Sequence, residues 1–162
     1  MADMMTLWLG RHGVAVDPDA AGSDFDRALS GFGRQQVSQM ARWLLMREPP
    51  PELVLHSPLV RARQTAETIA GEISGGVVIL EESLLAPGFS TAALLHRLKE
   101  SGVSRVVCIG HQPDIGRGLS EITGGGRALI SPGTMAGVEF HGPTVIGAGS
   151  LRWLADPSWF GA

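Results

Sequence analysis

Three short segments hold the residues able to do chemistry: Arg11-His12-Gly13, Ser57-Pro58-Leu59-Val60-Arg61 and Gly110-His111. Two guanidinium groups offer planar, doubled N–H donors that match phosphate oxygens and never lose their charge. A neutral imidazole beside a bound phosphate can attack phosphorus, and a second imidazole, if protonated, would stabilise charge on the transferring group. A helix capped by Ser57, with Pro58 in its first position, would add backbone donors and a positive dipole end. The chemistry such a set can do is phosphoryl transfer, where positioning and electrostatics supply most of the catalysis.

The elements that must position these groups alternate between strand and helix. Thr6-Leu7-Trp8-Leu9 reads as a buried strand ending at Gly10, and residues 14–29 read as a loop. Ser30 is the expected N-cap of a helix whose apolar face carries Val37, Met40, Ala41, Leu44 and Leu45, stopped by Pro49-Pro50-Pro51. Leu53-Val54-Leu55 is a second strand, followed by a helix with the stripe Leu59, Ala62, Ala66, Ile69 and Ile73. Val77-Val78-Ile79-Leu80 is a third strand; Ser90 caps a helix carrying Leu94, Leu95 and Leu98 that ends near Gly102. Arg105 to Ile109 is a fourth strand, and the helix after it carries Ile115, Leu119 and Ile122. Met135 to Phe140 and Val145 to Leu154 read as an antiparallel strand pair joined through His141-Gly142-Pro143. This pattern predicts an α/β fold: a mostly parallel sheet covered on both faces, with an antiparallel C-terminal strand pair. Ligands of such sheets sit beyond the carboxyl ends of the strands. Arg11 and His12 follow strand one, His56 and Ser57 follow strand two, and Gly110 and His111 follow strand four, so distant segments are expected to converge at one edge.

Composition narrows the function. The 162 residues suit a single domain over 1–162, with 44% apolar and 18% charged residues. A net charge of −3 argues against a nucleic-acid partner. All basic residues but Lys99 are arginine, so only the position of an arginine carries information about phosphate. Cys108 is the lone cysteine, which excludes an internal disulfide and favours a reducing compartment. Met1-Ala2-Asp3-Met4-Met5 lacks the pattern of a signal peptide, and no apolar run approaches the roughly 20 residues of a membrane span. A cytoplasmic protein without membrane contact is expected. Five histidines without metal-ligand spacing or cysteine partners make no case for a metal.

The motifs resemble those of the histidine phosphatase superfamily, which includes the cofactor-dependent phosphoglycerate mutases. Leu9 to Gly13 matches its arginine-histidine-glycine signature, Ser57 to Ala66 its second motif, and Gly110-His111-Gln112-Pro113 its third. Asp26-Arg27-Ala28-Leu29-Ser30 with Gly33, and Leu85-Ala86-Pro87-Gly88, resemble segments of the short bacterial SixA-type phosphohistidine phosphatases. The resemblance implies a three-layer α/β/α, phosphoglycerate mutase-like domain. It implies His12 as the phosphorylated nucleophile and Arg11, Arg61, His111 and Gly13 as phosphate contacts, with no metal or organic cofactor. The remaining polar residues have plainer readings: His56 structural, Arg63 solvated, His96 and His141 in ordinary helix and turn positions, and Cys108 in the core.

Two departures bear on the substrate. In the mutases a proton-donating glutamate follows the third strand, and that position here is Ala86; Glu81 and Glu82 are out of step. Asp17, Glu82 and Asp114 are the candidate carboxylates to take its place. A sugar alkoxide, whose conjugate acid has a pKa near that of water (about 15.7), needs a positioned acid worth about 10²–10⁴-fold. Phosphohistidine leaves as neutral imidazole after protonation by solvent, since histidine titrates at about 6.5. The polar residues that many mutase-like members carry after the first motif are replaced by Ala15 and Pro18, which points the same way. The expected activity is a phosphatase acting on phosphohistidine of a signalling protein, such as a histidine phosphotransfer domain, through phospho-His12. A small-molecule phosphomonoesterase and a non-catalytic phospho-recognition module are the alternatives.

Overall fold

The computed structural model describes residues 4–160; Met1 to Asp3, part of the segment read above for a signal peptide, lie outside the described residues. The chain runs β1 (Met5–Arg11), α1 (Gly31–Leu45), β2 (Leu53–His56), α2 (Val60–Gly71), β3 (Val78–Glu81), α3 (Thr91–Ser101), β4 (Arg105–Gly110), α4 (Asp114–Thr123), β5 (Met135–Phe140) and β6 (Ser150–Ala155). The sheet order is β3-β2-β4-β1-β5-β6. The first four strands are parallel, while β5 pairs antiparallel with both β1 and β6. No described helix is long and apolar enough to cross a membrane.

Alternation along the strands divides the core into two layers. Leu7, Leu9, Val106 and Cys108 face Leu94, Leu95, Leu98, Ile115, Leu119 and Ile122 of α3 and α4. Trp8, Val107 and Ile109 face Val37, Met40, Leu44, Ala62, Ala66 and Ile69 of α1 and α2. The helices change face because α3 returns over the opposite side of the sheet and delivers β4 into the gap between β2 and β1. Each fully buried leucine of these stripes stabilises the fold by about 1.5–3 kcal/mol.

Most predicted elements stand, including the Ser30 and Ser90 caps, whose hydroxyls accept from the Gly33 and Ala93 N–H groups. Three differ. Ser57 does not cap α2, which starts at Val60 with Leu59 as N-cap. Strand β3, read over Val77 to Leu80, spans Val78–Glu81 and lies at the sheet edge, leaving Val78 and Leu80 exposed. The last strand begins at Ser150, because residues 143–149 loop against α4 through Gly147 N–H to Glu121 O and Gly149 N–H to Ile122 O.

The start of α1 and the segment after β1 pack backbone to backbone. A Cβ on Gly13 would lie 2.7 Å from Val37 Cγ2, and one on Gly33 would collide with the Val14 carbonyl oxygen. Two short hydrogen bonds seal the contact, from Ser30 N and Ser30 Oγ to Val14 O at 2.9 and 3.0 Å. Gly33→Ala is expected to lower stability by about 1–3 kcal/mol, because the obstacle is backbone that cannot swing aside. Chemical denaturation tests this, and an unchanged midpoint and slope would contradict the packing argument.

Candidate active site

Strand pairing builds the site. Arg11 and Gly110 are register partners at the ends of the adjacent parallel strands β1 and β4, so His12 and His111 emerge side by side. His12 N–H donates to Gly110 O at 3.1 Å and Gly133 N–H to His12 O at 2.8 Å, which pins the turn from both sides. Ser57 follows β2 on the other flank of β4, tied by its N–H to Ile109 O at 3.0 Å. Arg61 lies in the first turn of α2. The predicted convergence of His12, His111, Arg11 and Arg61 therefore occurs.

His12 is buried, and its ring has a defined proton arrangement. Nδ1 lies 2.7 Å from Gly13 O, which can only accept, so Nδ1 carries the hydrogen. Nε2 then presents its lone pair, and Arg61 Nε–H donates to it at 3.2 Å. Burial pushes His12 down to about 3, opposed by the Gly13 hydrogen bond and assisted by the charges of His111, Arg61 and Arg11. His111 stands 5.2 Å away between ring centroids and is pushed down to about 4, by burial first and then by Arg61. Both rings are neutral at pH 7.

Arg61 is buried, and each of its three guanidinium nitrogens donates a hydrogen bond. Besides His12, it donates through Nη1 to Asp24 O at 2.7 Å and through Nη2 to Asp24 Oδ2 at 3.2 Å. Arg11 is half-buried: Nη1 donates to Ile130 O at 2.9 Å, and its buried Nε has no partner. Burial and then the nearby Arg61 charge lower its pKa. His111 Nδ1 is likewise buried without a partner. A tetrahedral oxyanion would satisfy such donors, because a buried unpaired guanidinium N–H is costly.

Several expectations need correction. The Gly13 N–H donates to Thr65 Oγ1 at 3.1 Å instead of standing free for phosphate, so Gly13 serves the close approach to α1. Two backbone donors at the start of α2 are also occupied: Val60 N–H by Phe25 O and Leu59 N–H by Ser57 Oγ. Ser57 Oγ instead meets His111 Nε2 at 2.7 Å. Glu82 and Asp114 are unsuited as proton donors, being held by Arg97 and Leu84 N–H, and by Arg117 and Gly88 N–H, respectively. Ala15 bridges to Leu29, while Asp17 and Pro18 sit at an exposed 3-10 turn.

The bland readings fit. His56 is buried with Nδ1 on Ser57 O, Arg63 pairs with Glu67, His96 with Glu100 and His141 with Glu139. Burial pushes the Cys108 thiol up and keeps it unreactive. Among the described residues no cluster of metal-ligating side chains occurs.

Sequence reasoning missed two groups. Thr65 had a visible signal: it lies four residues after Arg61, where its hydroxyl donates to Arg61 O at 2.7 Å and accepts from Gly13 N–H. Asp24 had none, since it sits in a loop without periodicity.

Comparison with known proteins agrees with this geometry. Residues 7–85 match the family model of the histidine phosphatase superfamily (branch 1). The chain is 31% identical over 157 residues to the phosphohistidine phosphatase SixA of Escherichia coli K12, covering 94% of each. It is 35% identical over 123 residues to an uncharacterised protein of Picosynechococcus sp., covering 75% of this chain and 74% of that one. It superimposes on the protein histidine phosphatase SixA complexed with tungstate with a TM-score of 0.80 at 29% identity, covering 95% of this chain and 98% of that one.

The depressed histidines set a pH dependence. Between about pH 4 and 6.5 the unfolded chain binds protons at these positions and the folded chain does not, so stability is full above this window and falls as pH drops through it. In an NMR titration the His12 and His111 rings are expected to stay neutral from pH 8 to about pH 5. A midpoint near the ordinary value for either ring would refute the assigned burial effect.

Proposed function

The chain belongs to the histidine phosphatase superfamily, and from that premise we propose that it hydrolyses phosphohistidine on a signalling protein through a covalent phospho-His12. The observation that carries this reading is the His12 ring: Nδ1–H committed to Gly13 O, and Nε2 left with its lone pair at the guanidinium of Arg61.

The residues support a two-step path. His12 Nε2 attacks phosphorus as the bond to the leaving nitrogen breaks, while Arg61 and Arg11 hold the phosphoryl oxygens and His111 faces the same group. The leaving imidazole carries a proton on its other nitrogen and departs neutral. Phospho-His12 then bears phosphorus on Nε2 and a hydrogen on Nδ1, which makes it a protonated, labile phosphoimidazole. Water attacks phosphorus, the Nε2–P bond breaks, the water proton passes to the phosphate or solvent, and the neutral ring returns. No step needs a metal or an organic cofactor.

The substrate choice rests on the missing acid. Ala86 closes the 3-10 turn Ser83–Leu85 and offers no carboxyl group. Asp24 is the carboxylate that touches the arginine clamp, and its hydrogen bond from Arg27, with the Arg61 charge, holds it below the ordinary carboxylate range. It is ionised at neutral pH and cannot donate a proton to an alkoxide. A phosphorylated nitrogen base does not require one. The similarity to SixA enzymes, named for phosphohistidine, points to the same class.

Turnover of a phosphohistidine-bearing phosphotransfer protein, compared with a panel of phosphosugars, tests the proposal. Preference for the protein, an acid-labile phosphoenzyme, and a loss of at least about 10³-fold in His12→Ala are expected. Preference for the sugars would overturn the substrate class, and full activity of His12→Ala would overturn the mechanism.

A further inference from the structure

Arg61 presents two parallel N–H bonds along its Nε–Nη2 edge, the fork that grips two oxygens of a phosphate. In this structure Nε donates to His12 Nε2 and Nη2 donates to Asp24 Oδ2, each at 3.2 Å. A bond from His12 Nε2 to phosphorus uses the lone pair that now accepts from Nε–H. The edge then meets phosphoryl oxygens, and its second nitrogen, Nη2, is the one that already gives an N–H to Asp24.

The surroundings of Asp24 suit an anion that can let go. Its side chain is 66% exposed, so a released carboxylate is rehydrated at little cost. Its other oxygen, Oδ1, accepts from Arg27 Nη1 at 3.2 Å, and Arg27 is anchored by Nε–H to Val16 O at 3.0 Å. A carboxylate displaced from Arg61 thus keeps a cationic partner. The loop does not have to leave, because Asp24 O holds Arg61 Nη1 at 2.7 Å and Phe25 O holds Val60 N–H at 3.2 Å through backbone atoms alone.

We propose that Asp24 is a built-in competitor for the phosphoryl group, exchanged for phosphoryl oxygens on the Nε–Nη2 edge of Arg61 when substrate binds and returning as inorganic phosphate departs. The proposal rests on the phosphoryl-transfer reading of the site. Its consequence is selective: free anions are held weakly and leave readily, while a substrate with further contacts outside the phosphate still binds.

Calorimetric titration of the full chain with inorganic phosphate, and separately with tungstate, tests this without relying on turnover. Asp24→Asn removes the charge but keeps the backbone carbonyl on Arg61, and is expected to bind both anions about three- to fivefold more tightly than the unaltered chain, the size of an exposed carboxylate–arginine contact. Asp24→Ala should do the same. Asp26→Asn, in the same loop but bonded to Ser23, should change affinity by less than about twofold, within the reach of a screened surface charge. Thermal melts confirm that the variants fold. Unchanged or weaker binding in both Asp24 variants would overturn the competitor role alone, as would equal tightening in Asp26→Asn. Failure of the unaltered chain and of both Asp24 variants to bind either anion would overturn the phosphoryl-transfer reading and the competitor with it.

Discussion

The parallel pairing of β1 with β4 is the constraint on which the site depends. Its register sets Arg11 opposite Gly110, so the next residue of each strand is a histidine leaving the sheet at the same level. A slip of one residue would turn each side chain to the other face, moving Leu7 and Leu9 out of one core layer and Trp8 out of the other. The hydrophobic layers therefore enforce the alignment of His12 with His111. The geometry of the candidate site is secured by core packing some distance from it.

Four basic side chains share this small space, and the fold makes that tolerable in different ways. The histidines give up their charge to burial. Arg11 and Arg61 cannot, so each is tied to backbone carbonyls, Ile130 O and Asp24 O, which supply partial negative charge without a buried carboxylate. The full negative charge beside them belongs to the solvent-facing Asp24. The result is a site that is electropositive through its arginines while the His12 ring, the proposed nucleophile, stays uncharged.

Positioning is indirect in the same spirit. Thr65 joins Gly13 to the carbonyl of Arg61, linking the loop after β1 to the first turn of α2 through one hydroxyl. Ser57, just after β2, meets His111 at the end of the neighbouring β4. The glycine pair Gly13 and Gly33 brings α1 against the same loop. Each contact restrains the turn that carries His12 or its partner, so the site is held from three elements at once.

The sequence by itself determined the alternating strands and helices, the apolar stripes, the caps at Ser30 and Ser90, and the places of His12, Arg61 and His111 just beyond strand ends, because periodicity and strand-end position are local properties of the chain. It also determined the absence of a glutamate at Ala86. Only the tertiary structure decided which donors remained free. Ser57 looked like a cap, yet its hydroxyl went to His111, since hydrogen-bond partners from different strands are settled only when the sheet forms. Val77 to Leu80 read as one strand among others, and its edge position followed from where α3 delivered β4. The N–H groups of Gly13, Leu59 and Val60 looked available to phosphate until Thr65, Ser57 and Phe25 were folded against them. Asp24 carried no signal at all, because a loop residue is defined by the groups brought to it, and Arg61 arrives there from another element 37 residues along the chain.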